Sequence, residues 1–126
     1  MTDTFKLSGD YTTEPATGVV SAVPQLSAQL SETVSLVRKS VQRISLTVDT
    51  AVTVDLCGLT QFEVLVVKTI GGKVRVRLTS ADGSSQAVPV DTLLAVISSS
   101  VPYTALDLTR VAGTTTTVEV FMGEKA

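Results

Sequence analysis

Forty-three of the 126 residues branch at Cβ: 21 Val, 19 Thr and 3 Ile. Such side chains are stiff at χ1 and pack well on a pleated surface, so the chain is biased toward strands before any pattern is considered. The pattern agrees. Ile44, Leu46 and Val48 alternate with Arg43, Ser45, Thr47 and Asp49, and Val52, Val54 and Leu56 alternate with Thr53 and Asp55. Val74, Val76 and Leu78 alternate with Lys73, Arg75 and Arg77, while Leu106 with Leu108, and Val118, Val120 and Met122, repeat the two-residue period near the C-terminus. This is the period of half-buried strands. The continuous apolar run Phe62–Thr69 predicts a central strand covered on both sides, and Leu93–Ile97 a second buried run.

Turn signals separate these segments every 8–14 residues. Gly71-Gly72 predicts a hairpin, Ala81-Asp82-Gly83-Ser84 another turn, and Ala112-Gly113 a third. Pro89, inside Val88–Val90, marks an edge strand, because proline cannot donate to a central ladder. The expectation is an all-β domain over residues 34–126, a jelly roll or β-sandwich of seven to eight antiparallel strands, with a small barrel as the variant.

Residues 1–33 differ. They are rich in Thr, Ser, Gly and Pro, with isolated apolar residues Phe5, Leu7, Tyr11, Val19, Val20 and Val23, and are interrupted by Pro15 and Pro24. They read as an extended N-terminal arm with one short strand, the alternative being a tail without structure. Residues 26–41 fit two periods. Leu26, Leu30, Val34, Val37 and Val41 are spaced as in a helix, whereas Val34 and Leu36 alternate as in a strand, and strand from about Val34 is favoured because Thr33-Val34-Ser35-Leu36-Val37 is a poor helix former.

Missing residue types narrow the chemistry. There is no His, Trp or Asn, and Cys57 is the single cysteine. A Ser-His-Asp triad, an imidazole metal ligand, an intrachain disulfide and a Cys-rich zinc or iron–sulfur site are excluded. Catalytic, metal and cofactor sites are accordingly expected to be none. Asp49 with Asp55, and Glu63, are the carboxylates open to acid–base work, and they read as solvated. Cys57, between Leu56 and Gly58, reads as a small core hydrophobe. The polar start, acidic from Asp3, is unlike a signal peptide, and no stretch of about 18 apolar residues is present for a membrane span. Synthesis in the cytoplasm is the expectation.

Charge is unevenly placed. The chain carries net −2, yet residues 38–77 hold seven cations (Arg38, Lys39, Arg43, Lys68, Lys73, Arg75, Arg77) against Asp49, Asp55 and Glu63. Lys73, Arg75 and Arg77 fall on one strand face. The stripe has no interleaved aromatics for base stacking, which disfavours nucleic acid; a solvated face, or a surface meeting an acidic partner, explains it more simply. With only Tyr11, Tyr103, Phe5, Phe62 and Phe121 as aromatics, a sugar platform is also poorly equipped, and the tyrosines read as packing or interface residues.

At this point the chain resembles the small virion structural proteins of tailed bacteriophages. The resemblance lies in Val66-Val67-Lys68-Thr69 leading to Val74-Arg75-Val76-Arg77-Leu78-Thr79-Ser80-Ala81-Asp82-Gly83. It continues through Val88-Pro89-Val90, Val101-Pro102-Tyr103-Thr104-Ala105-Leu106, and the closing Gly113-Thr114-Thr115 and Val118-Glu119-Val120-Phe121-Met122-Gly123. It covers roughly residues 40–124 in style and supplies no functional residue. It implies a jelly-roll or sandwich subunit of the virion, forming homotrimers and contacting other virion proteins such as the major capsid protein. Capsid decoration (cement) is the first expectation and a tail or baseplate accessory role the second. A host-receptor or glycan-binding β module is the alternative from another class. The expected partner contacts are Phe5, Leu7, Tyr11, Lys73, Arg75, Arg77 and Tyr103.

Overall fold

A computed structural model of the chain describes residues 3–12, 27–98, 100–112 and 115–126. The strands are β1 (Asp3–Thr12), β2 (Ser27–Leu46), β3 (Val52–Thr53), β4 (Val64–Ile70), β5 (Lys73–Ser80), β6 (Ser85–Val90), β7 (Leu93–Ile97), β8 (Tyr103–Ala112) and β9 (Thr116–Lys125). The described residues include no helix, and the fold is all-β. Two antiparallel sheets form, one in the order β1-β2-β9-β4-β7 and the other β3-β8-β5-β6. Four strand pairs nest one inside the next along the chain: β2 with β9, β3 with β8, β4 with β7, and β5 with β6.

The core lies between the sheets. Leu65, Val67, Val118, Val120 and Met122 point inward from the larger sheet and meet Val74, Val76, Leu78, Leu106 and Leu108 from the smaller, all essentially inaccessible to water. Each inward residue is two positions from the next, so the alternation read from the sequence is the alternation that builds the core. Phe62 closes one end. Its N–H donates to the Tyr103 carbonyl at 2.9 Å and the Tyr103 N–H donates back to the Phe62 carbonyl at 2.8 Å. The two rings lie 5.6 Å apart.

Several expectations need correction. Gly71-Gly72 is not a hairpin: β4 belongs to the larger sheet and β5 to the smaller, so this turn carries the chain across the core. Gly71 sits at φ +85°, and a Cβ there would lie 3.1 Å from the Thr115 carbonyl oxygen. Asp82-Gly83 does make a hairpin, joining β5 to β6 with Gly83 at φ +90°. Strand alternation through Leu56 stops early, at Thr53, because the Asp55 carboxylate accepts the Cys57 N–H at 2.9 Å and a Leu59-to-Leu56 backbone bond closes a turn. Such local side-chain bonds compete with a ladder. Cys57 therefore stands exposed at φ +53°, not in the core. Coverage of β4 on both sides is confined to Val64 and Leu65, and in β7 Leu93 is 59% exposed.

Residues 27–46 form one strand throughout, so position 34 falls inside β2. Its first half pairs with β1, from Thr12↔Ser27 to Asp3↔Leu36, and its second half with β9, from Leu36↔Lys125 to Leu46↔Thr116. Leu36 is the point of handover. The register shifts between Leu36 and Arg38, a bulge that bends a strand and reverses which face its side chains occupy. The expectations for Pro15, Val19, Val20, Val23 and Pro24 lie outside the described residues.

Candidate interaction surfaces

The inward positions of β2, β9, β4 and β7 leave the intervening residues on the opposite, outer face of the larger sheet. Register places Val41, Phe121, Val66 and Ala95 in one row across the four strands, and Arg43, Glu119, Lys68 and Leu93 in the next. Val41 is 71% exposed, Leu93 59% and Ile70 47%. Between the rows lies a shallow hollow of about 200 Å³ lined by Val41, Val66, Lys68, Leu93, Glu119 and Phe121. Contiguous exposed apolar surface rimmed by charge marks an interaction site more often than scattered apolar residues do. Arg43 donates to Glu119 Oε1 at 2.7 Å, which leaves Lys68 as the uncompensated charge of the hollow.

Beyond Leu36, β1 and the first half of β2 make a two-stranded ribbon of ten residue pairs, about 30 Å long at strand rise. One side carries Phe5, Leu7, Val34 and Leu36, the other Thr4, Lys6, Ser8, Thr33 and Ser35. The apolar side turns toward the outer face of the larger sheet. Phe5 stacks on Phe121 with centroids 5.1 Å apart. Leu36 is buried over Gly123, where an added Cβ would come within 2.9 Å of both Leu36 methyls. Lys39 Nζ to Asp3 Oδ2 at 3.2 Å, and the Ala126 N–H donating to the Ser35 carbonyl at 2.9 Å, complete the anchor. Phe5 and Leu7, read from the sequence as partner contacts, lie half-buried on the apolar side of the ribbon. The backbone of Tyr11 pairs with Ala28, and its side chain lies outside the described part.

Lys73, Arg75 and Arg77 are all exposed on the outer face of the smaller sheet, so they form a site separate from the ribbon. Lys73 pairs with Asp91 at 3.7 Å and Arg77 donates to the Ser85 hydroxyl at 3.2 Å. Asp107, opposite Arg77 in register, accepts instead from the Thr53 hydroxyl at 2.8 Å. Among the described residues Arg75 has no ion pair. A hollow of about 390 Å³ runs past Arg75, Arg77, Ser85, Gln86, Asp107 and Thr109, and guanidinium forks of this kind accept carboxylates.

The remaining candidates have structural duties. Tyr103 is partly buried and packs on Phe62 at the end of the core. Asp49 accepts from Arg110 Nε at 2.8 Å, and Glu63 accepts from Gln61 Nε2 at 3.1 Å and from the Lys125 N–H at 2.7 Å, tying the start of β4 to the end of β9. Asp82 is held below the usual aspartate range by hydrogen bonds from the Ser84 hydroxyl and N–H. No group of three or more metal-ligating side chains gathers among the described residues, and no helix is long and apolar enough to cross a membrane.

The sequence pointed to Phe5 and Leu7 on an extended arm and to the Lys73/Arg75/Arg77 stripe, but not to the two-stranded ribbon or to Val41, Val66, Lys68, Leu93 and Phe121. Val41 could have been found, since it is out of step with Ile44 and Leu46. Phe121 is likewise out of step with Val118, Val120 and Met122. No protein-family model, curated protein or solved structure matches the chain.

Proposed function

We propose that the chain is a non-enzymatic structural subunit of a phage virion, a capsid decoration protein that bridges neighbouring capsid subunits and associates with copies of itself as a trimer. The observation that carries the reading is the division of β2: half of a twenty-residue strand belongs to the body and half to a ribbon with an apolar side. An isolated two-stranded ribbon is marginal in water, and its apolar side gains stability only against another surface. The body is a jelly roll in this reading. In support, the nested pairs β2/β9, β3/β8, β4/β7 and β5/β6 are those of an eight-strand hairpin rolled into two sheets, with β1 added outside. Pro89 on the edge strand β6 and the two-residue β3 leave the smaller sheet little open edge, as in a subunit that must not polymerise through it.

Co-sedimentation with purified phage heads tests the reading. Deleting residues 1–30 removes β1 and leaves the β2–β9 pairing and the core, so the shortened chain should fold and fail to bind heads. Undiminished head binding by the shortened chain would overturn the ribbon's part in it, and binding of the full chain only to tails would overturn the decoration role in favour of the tail or baseplate. Tyr103 lies half-buried beside the core ring of Phe62, which favours the structural reading over the glycan-binding alternative.

A further inference from the structure

We infer that the outer face of the larger sheet receives the ribbon of a second copy of this chain, with Leu7 entering the hollow beside Leu93 and Glu32 pairing with Lys68. The inference rests on the reading of the chain as an assembling subunit and names the surface by which copies meet. The hollow, at about 200 Å³, is below the roughly 300–1,000 Å³ of small-molecule sites and suits an inserted side chain. Among the described residues the hollow stays open: Phe5 stacks on Phe121 at its edge, yet Val41 and Leu93 are 71% and 59% exposed.

Charge selects the occupant. The row Arg43–Glu119–Lys68 places one acid between two cations, and Arg43 engages the acid at 2.7 Å. Lys68 is exposed and makes no ion pair among the described residues, so the hollow is an apolar pocket with one free positive charge at its rim. The ribbon offers the complement. Leu7 and Glu32 are opposite one another in register, on the same side as Phe5 and Val34, and Glu32 is exposed and also without an ion pair among the described residues. An apolar residue beside one free negative charge matches an apolar hollow beside one free positive charge. Because both surfaces occur on every copy, a reciprocal two-fold pair or a closed head-to-tail ring such as a trimer satisfies each ribbon and each hollow.

A charge-swap cycle on the full-length protein tests this, read by sedimentation velocity across a concentration series and by co-sedimentation with heads. Glu32→Lys and Lys68→Glu should each weaken self-association about two- to fivefold, in line with about 0.4–1 kcal/mol for a rim ion pair. The double variant should recover most of the loss, and Leu7→Ala should weaken association independently of salt. Single variants without effect, a double variant no better than the singles, or a wild-type chain that stays monomeric at all concentrations would overturn the inference. A monomeric chain that still binds heads would overturn it while leaving the decoration role standing. Failure to bind heads by an associated chain would do the reverse.

Discussion

Leu36 and Gly123 offer a sharp test of how the ribbon is joined to the body. Leu36 is 1% exposed and is shared by both halves of β2. Truncation to Ala removes three carbons from over Gly123. Buried Leu→Ala changes cost about 2–5 kcal/mol, and the lower part of that range is expected here because a site at the end of a sheet can relax. Gly123→Ala is the opposite perturbation. Its new methyl would lie 2.9 Å from both Leu36 methyls and 3.4 Å from Phe121 Cε1, which forces Leu36 off its seat at a cost of about 1–3 kcal/mol. The two changes share one space. In the double variant the Gly123→Ala methyl occupies room that Leu36→Ala vacates, so the double should be more stable than the sum of the singles by about 1 kcal/mol or more, the usual sign of residues in contact. Urea unfolding reads this directly: with a slope of about 1–3 kcal/mol per molar, a 2 kcal/mol loss moves the midpoint by about 1 M. Strict additivity would refute the packing of Leu36 over Gly123. Hydrogen exchange adds a second readout, since amides of β1 should lose protection in both single variants while those of β5 and β8 keep it.

Two further outcomes are expected. The Cys57 thiol should react with a thiol reagent in the folded protein nearly as fast as in urea, since it is exposed at a turn; strong protection relieved only by unfolding would place it in the core instead. Asp82, whose carboxyl is held low by Ser84, should titrate below the usual aspartate range by carbon-detected NMR, and Ser84→Ala should move it back up. With its folded pKa below the unfolded one, this group stabilises the fold above the unfolded pKa, and the contribution is lost as pH falls through the folded pKa. An unchanged titration in Ser84→Ala would remove the hydroxyl as the cause.

The sequence made the all-β class legible because burial here follows a two-residue period, and that period needs no long-range information: Val74, Val76 and Leu78 are inward by alternation alone. Pro89 marked an edge for a reason equally local. The outer-face site was not legible for the converse reason. Val41, Phe121 and Val66 are eighty and fifty-five residues apart in pairs along the chain, and only the ladders β2·β9 and β9·β4 set them side by side. A bulge at Val37 further reverses the facing of β2, so Leu36 is buried on the outer side of the sheet while Leu46 is buried on the inner side. One strand thus serves two surfaces, and no single period describes it.

The error at Gly71-Gly72 has a physical origin that the charges could have exposed. A two-residue hairpin would have set Ile70 opposite Lys73 and, two steps on, Lys68 opposite Arg75, with Thr69, Val67 and Leu65 facing Val74, Val76 and Leu78. That arrangement satisfies the apolar pattern fully, which is why alternation cannot distinguish a hairpin from a turn that carries the chain to the facing sheet. It fails on the polar side, where like charges directly opposite destabilise a strand pair. Crossing to the other sheet resolves the conflict. Lys68 then lies between Glu119 and Leu93, and Arg75 between Thr109 and Pro89. The same separation that relieves the repulsion is what places Lys68 on one outer face and Arg75 on the other, where a hairpin would have put both on one.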